Sequence, residues 1–205
     1  EARDAVARLR ALLPTRVIEI GCGTGLLLLR LASSTQTYVG TDFSTVALDG
    51  LRKHVAQAGL QQVSLQQRQA DDFDGLEPGA FDTVILNSVV QYFPGIDYLM
   101  RVLDGALRLI GDRGALFLGD VRSLPLLEAF HTNVEIVRAG DHETLAAVRA
   151  RVQRRVSEEK ELLLDPALFT ALRRQYPQIS AVQIQSKRGI SVNEMMQFRY
   201  DVTLH

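Results

Sequence analysis

The chain has 205 residues, 46% of them hydrophobic and 23% charged, with a formal net charge of -1. This length and balance fit a single globular domain able to bury a core of its own, and they exclude a disordered, collagen-like or coiled-coil chain. No basic surplus points to nucleic acid, one cysteine (Cys22) excludes an internal disulfide or a multi-cysteine zinc site, and no apolar run approaches the roughly 18 residues of a membrane span.

No nucleic acid, membrane or metal is therefore expected among the partners, and a cytoplasmic location is. The chain begins at Glu1 rather than Met, as a fragment or a chain with a removed leader would.

Residues 2–12 carry apolar positions at helical spacing and are followed by Pro14. Arg16 to Ile20 then reads as a strand, Gly25 to Ser33 as a helix and Thr37 to Thr41 as a second strand. Ser44 is a good N-cap for a helix running to Ala58 and ended by Gly59. Val63 to Arg68 alternates as a third strand. Phe81 to Leu86 is almost wholly apolar, as a strand buried on both faces would be. A helix over Tyr98 to Ile110 and a fifth strand over Ala115 to Gly119 complete the alternation.

The pattern then changes. Pro125 to Arg138, Glu143 to Lys160 and Pro166 to Tyr176 read as helices, and Ala181 to Lys187 with Gln197 to Leu204 as two antiparallel strands. The expected fold is one α/β domain over residues 1–205: a doubly wound, mostly parallel seven-stranded sheet with a helical insertion after the fifth strand and a closing hairpin.

The strongest local signal is Glu19-Ile-Gly21-Cys-Gly23-Thr-Gly25, directly after the first strand. Glycine there lets the chain turn sharply and lets a ligand approach the backbone with no Cβ in the way. A dinucleotide fingerprint needs a glycine at position 26, where this chain has Leu26. Cys22, between two glycines, reads as a packing residue. Asp42 ends the second strand, where its two carboxylate oxygens can accept from both ribose hydroxyls of a nucleoside. Strand ends face the ligand crevice in such sheets, so the polar residues Asn87, Ser88, Gln91 and Tyr92 after the fourth strand are candidates to line it.

The G-x-G-x-G spacing with Glu19 and Asp42 resembles the cofactor motif of class I S-adenosylmethionine-dependent methyltransferases. The phrases IEIGCGTGLLLLRLA, YVGTDFS, ADDF, FDTVILNSVVQYFP, GDVRSLPLLEAFH and FRYDV resemble more narrowly the methyltransferase domains embedded in nonribosomal peptide synthetases and polyketide synthases, from Arg16 to His205. The resemblance implies S-adenosylmethionine as cofactor, held by Glu19, Gly21, Gly23, Gly25, Asp42, Phe43, Asn87 and Ser88. Asp71 would accept from the adenine amine, and Asp72 would either assist it or cap a short helix.

It also implies a partner, a carrier protein bearing the acceptor as a phosphopantetheine thioester, with neighbouring synthase domains beside it. Family members carry a helical lid ahead of the first strand, so residues 1–15 read as a truncated one. The methylated atom is an amine nitrogen in peptide systems and a β-hydroxyl oxygen in some polyketide modules. An alcohol gains from a general base, and histidine is the best suited side chain.

Of the four histidines, His131 sits past the fifth strand in the family-like phrase. It is the expected base, with oxygen the favoured acceptor and nitrogen the alternative. Glu194, of the Asn193-Glu194 pair, is the expected carboxylate orienting it, ahead of the same-helix Glu128 and Glu135. Gln91, Tyr92, Asp120 and Arg122 are placed on the substrate side, with pinning of the insertion an open alternative for the last two. The charged run 149–161 reads as a solvated helix, with carrier docking a lesser alternative. From a different class, a non-catalytic scaffold is disfavoured by the intact glycine loop and Asp42.

Overall fold

The computed structural model describes residues 2–140, 142–187 and 197–205. Among them, seven strands form one sheet: β1 (Arg16–Ile20), β2 (Thr37–Asp42), β3 (Val63–Gln67), β4 (Phe81–Asn87), β5 (Ile110–Arg122), β6 (Val182–Ser186) and β7 (Arg199–Leu204), in the order β3-β2-β1-β4-β5-β7-β6. β1 to β5 run parallel; β7 is antiparallel to both β5 and β6. The expected architecture is therefore the observed one.

Helices cover both faces. α1 (Ala2–Ala11), α2 (Leu28–Leu31) and α3 (Thr45–Gln57) lie on one side, where Leu9, Leu28, Leu31, Leu48 and Leu51 bury against Val17, Tyr38, Ile85 and Phe117. α4 (Ile96–Leu109) and α7 (Pro166–Gln175) cover the other, where Leu99, Leu103, Phe169 and Leu172 meet Ile18, Val84, Leu116 and Val202. The near-continuous apolar run of β4 follows from this sandwiching, since both of its faces are covered. α5 (Leu127–Arg138) and α6 (Leu145–Ser157) form the insertion after β5.

Several ends shift by two or three residues, and two boundaries differ more. The segment 25–33 is not one helix: Gly25 sits at φ +84°, and α2 starts only at Leu28 before a short 3₁₀ turn over Ala32–Ser34. β5 is longer than Ala115–Gly119 because the antiparallel pairing with β7 extends it, Val121 facing Tyr200 and Arg122 facing Arg199.

The order reverses at β1, which pairs with β2 on one side and β4 on the other. Chains leaving β1 and β4 pass to opposite faces, and a crevice opens between them at the C-terminal strand ends.

Candidate active site

A cavity of about 510 Å³ occupies that crevice. Its floor is the turn after β1, with Gly21 and Gly23 on the lining and φ values of +74° and +51°. A Cβ at Gly21 would lie 2.5 Å from Val89 Cγ2, and one at Gly25 would lie 2.3 Å from Leu51 Cδ1, so those two glycines make room for the protein itself. A Cβ at Gly23 would meet nothing within 4 Å. Gly23 is on the cavity lining, and the space beside it is open.

Asp42 closes one side. Its Oδ2 accepts from Gly23 N–H (2.9 Å) and its Oδ1 from Ser44 N–H (2.8 Å). Each oxygen keeps a lone pair for a ligand hydroxyl. Ser44 itself caps α3, accepting from Ala47 N–H, so Asp42 is spared that duty. Phe43 lines the cavity while 68% exposed, and Tyr92 while 73% exposed. With Phe93 and Tyr98, edge to face at 4.9 Å, they make aromatic walls suited to a purine.

Glu19 is not on this lining. Its side chain points to the helix-α1 face of the sheet, 3% exposed, and accepts from Tyr38 Oη–H at 2.7 Å. Burial pushes its carboxyl up to about 8, against the opposing hydrogen bonds from Tyr38 and the Leu28 backbone. It braces the glycine loop from behind. Cys22 is likewise buried, with burial pushing its thiol up to about 12, as a packing residue would be.

Asp71 and Asp72 stand at the corner after β3, beside the lining residues Arg68, Gln69 and Ala70 rather than among them. Asp71 is held by Arg101 (3.3 Å). Asp72 pairs with Arg68 (3.2 Å) and accepts from Asp74 N–H in a turn; among the described residues no helix follows there for it to cap. Ser88, at φ +57°, lines the cavity, while Asn87 donates to Ser88 Oγ (3.1 Å). Gln91 is buried and off the lining. Its Oε1 and Asn87 Oδ1 have no hydrogen-bond partner among the described residues.

Asp120 and Arg122 both lie off the crevice lining, and each is held by ion pairs within the protein. Asp120, 2% exposed at φ +66°, accepts from Ser88 Oγ–H (3.0 Å), pairs with Arg199 and lies 3.6 Å from Lys187 Nζ. Two non-glycine residues in the left-handed region, at the ends of adjacent strands, are thus bonded to each other. Such strain persists only where surrounding contacts over-determine it.

Arg122 binds Glu159 (2.8 Å) and Glu161 (2.9 Å), tying the segment after α6 to the end of β5. Burial alone would raise the Glu159 carboxyl, but Arg122 and two backbone N–H groups outweigh it and hold it at about 2.

His131 departs most from expectation. Its Nε2 faces Glu159 Oε2 at 3.5 Å, and its ring packs edge to face on Phe130 at 5.0 Å. It does not line the crevice. The carboxylate beside it comes from the far end of the insertion. Glu135 on its own helix is taken by Arg151 (2.6 Å) and Arg155 (3.5 Å), and Glu194 lies outside the described residues. Glu159 was missed because only the fold brings the charged run 149–161 back against β5. On the helix that carries most of that run, Val148 and Val152, one turn apart, are buried, and Arg151 also pairs with Glu143. The run is helical to Ser157 and mostly exposed, as a solvated helix would be, with its Arg151 reaching Glu135 on α5.

Comparison with known proteins places these observations. Residues 18–116 match the family described as "Methyltransferase domain". Chondramide synthase cmdD from Chondromyces crocatus is 50% identical over 202 residues, covering 98% of this chain and 5% of that protein. The probable non-canonical nonribosomal peptide synthetase CymA from Salinispora arenicola is 44% identical over 203 residues (99% and 2%). The beauvericin nonribosomal cyclodepsipeptide synthetase from Beauveria bassiana is 38% identical over 198 residues (94% and 6%). The chain thus spans only a small part of these relatives' length. Among solved structures, the methyltransferase domain of bacterial CtHen1 superposes with a TM-score of 0.66 at 15% identity, covering 99% of this chain and 96% of that one. That likeness is one of fold.

Proposed function

Because this chain belongs to the S-adenosylmethionine-dependent methyltransferase domains of the kind found within peptide synthetases, we propose that it methylates the amine nitrogen of an aminoacyl unit held as a thioester on a carrier protein. The cofactor fits the crevice on three observations: the open space over Gly23, the free lone pairs of Asp42 and the exposed aromatic wall of Phe43 and Tyr92. Bound there, S-adenosylmethionine supplies a methyl group already activated on a sulfonium. The chain's own residues then have to position two reactants and exclude water.

The lining of the crevice carries the choice of nitrogen. Its ionisable residues, among those described, are Asp42, Arg68, Tyr92 and Tyr98. Asp42 is committed to two backbone N–H groups, and Arg68 to Asp72 and Gln66. None is placed as a free base of ordinary strength. A neutral amine needs no base to attack, whereas a hydroxyl does. An apolar, aromatic crevice also favours the neutral amine over its ammonium form. That two of these relatives are a probable nonribosomal peptide synthetase and a nonribosomal cyclodepsipeptide synthetase agrees with this choice.

Oxygen as acceptor draws on one observation, the half-buried His131 beyond β5, whose Nε2 stands 3.5 Å from Glu159 without a hydrogen bond between them, a base and a carboxylate side by side. The test is mass spectrometry of paired carrier-bound substrates, one aminoacyl and one 3-hydroxyacyl, each incubated with S-adenosylmethionine. Methylation of the aminoacyl substrate alone is expected; methylation of the hydroxyacyl substrate alone would overturn the nitrogen assignment.

A further inference from the structure

The crevice lining crosses four neighbouring strand ends in order: Gln69 after β3, Asp42 at the end of β2, Gly23 after β1 and Ser88 after β4. Neighbouring strands lie about 4.8 Å apart. With the ribose on Asp42, the sulfonium lies toward β1, and an acceptor attacking it approaches from the β4 end, at Ser88.

The Ser88 hydroxyl reaches this place with its hydrogen already committed. It donates to Asp120 Oδ2 (3.0 Å) and accepts from Asn87 Nδ2–H (3.1 Å). A hydroxyl has one hydrogen and two lone pairs, so one lone pair is left. Toward a ligand Ser88 therefore accepts and does not donate. Asp120 is not free to turn. Its own N–H donates to Asp201 Oδ1 (2.8 Å), and its carboxylate meets Arg199 and, at 3.6 Å, Lys187. Asp201 is held in turn by Lys187 (3.1 Å) and by Arg8 of α1 (3.0 Å). These contacts over-determine the left-handed backbone of Ser88 (φ +57°) and Asp120 (φ +66°). Two cations offset the charge of Asp120, so its carboxylate turns the hydroxyl and takes no proton.

We propose that Ser88 Oγ accepts an N–H of the acceptor amine, and that Asp120 is the positioning residue that fixes the hydroxyl for it. The inference rests on the nitrogen reading above. A neutral primary amine has two N–H groups and one lone pair, and holding one N–H aims the lone pair. As that lone pair forms the bond to the methyl carbon, the carbon–sulfur bond breaks and its electrons stay on sulfur. The positive charge passes to nitrogen, whose N–H groups become stronger, charge-assisted donors. The bond to Ser88 thus tightens on the way to the transition state and lowers the barrier. The extra proton leaves to water with the released product.

Ser88→Gly is the test, because glycine adopts φ +57° without strain and only the hydroxymethyl group is lost. With an aminoacyl thioester as acceptor, kcat should fall about 10- to 100-fold. The acceptor KM and the calorimetric Kd for S-adenosylmethionine should stay within about threefold, since the lost bond matters most in the transition state. Asp120→Asn should lower kcat about tenfold by itself and no further in the Ser88→Gly background, because it acts through Ser88. If it fails to fold, Arg199→Lys loosens the same carboxylate and takes its place in the pair. A folded Ser88→Gly protein with wild-type kcat would overturn the inference. So would a loss confined to KM or to the Kd for S-adenosylmethionine, because Ser88 would then serve binding alone. Equal losses in both backgrounds would remove Asp120 from its positioning role. Transfer by the wild-type protein to 3-hydroxyacyl thioesters with none to any aminoacyl thioester is a separate signature; it overturns the nitrogen reading and this inference with it.

Discussion

Replacing Gly23 by alanine and then valine should remove cofactor binding in two steps while the fold survives. The residue sits at φ +51°, so any L side chain there costs about 1–2 kcal/mol of stability. No protein atom lies within 4 Å of the added Cβ, so no further clash is added to that cost. The cavity takes the effect instead. One methyl in the space where a ligand meets the backbone costs about 1–3 kcal/mol, weakening binding roughly 5- to 150-fold. Valine, with three added carbons, should abolish measurable binding.

Gly25→Ala is the contrasting case. Its Cβ would lie 2.3 Å from Cδ1 of Leu51, a residue 1% exposed, so the core must give and stability should fall before affinity does. Calorimetric titration with S-adenosylmethionine and urea unfolding of the same preparations separate the two effects. A folded Gly23→Val protein that binds the cofactor with wild-type affinity would refute the placement of the ligand over this loop.

Asp42→Ala removes the acceptor of the Gly23 and Ser44 N–H groups and, on the proposed placement of the cofactor, of two ribose hydroxyls; with charge-assisted bonds at about 1.5–3 kcal/mol each, the Kd should rise about 100-fold or more. An unchanged Kd would move the ribose contact elsewhere. Glu19, raised from 4.5 to about 8 by burial, binds its proton more tightly folded than unfolded. Its contribution is therefore fully present below about pH 4.5 and is lost as pH rises through about 8, so melting temperature should fall across that window. Glu19→Gln, which can still accept from Tyr38, should flatten the profile; parallel profiles for the two proteins would contradict a buried neutral carboxyl. His131→Ala should retain amine methylation within about tenfold, whereas a loss of about 10²–10⁴-fold would restore the histidine as general base.

The parallel half of the sheet was legible because each strand is a short β-branched run next to a helical pattern, and the glycine loop because three glycines alternate directly after a strand. Asp42 was readable from its place at the end of β2. Side-chain direction was not. Glu19 differs from Ile18 and Ile20 only by the alternation of the strand, and which face holds the ligand depends on helices distant in sequence. Asp71, Asp120 and Arg122 have the chemistry of ligand contacts, but their partners Arg101, Arg199 and Glu159 come from other elements. The His131–Glu159 pairing spans the whole α5–α6 insertion, and no local spacing signals it. The Ser88–Asp120 bond needs the ends of β4 and β5 side by side, and so has no trace in any one stretch of sequence.

The most direct test of nitrogen as the acceptor offers both atoms in one molecule. A β-hydroxyphenylalanyl thioester carries both an amine and a β-hydroxyl, and ¹³C-methyl-labelled S-adenosylmethionine marks where the methyl group arrives. Carbon NMR of the product distinguishes N-methyl from O-methyl. Label on nitrogen alone is expected from a crevice whose described lining holds no free base. Label on oxygen would contradict it and return catalysis to the His131–Glu159 pair.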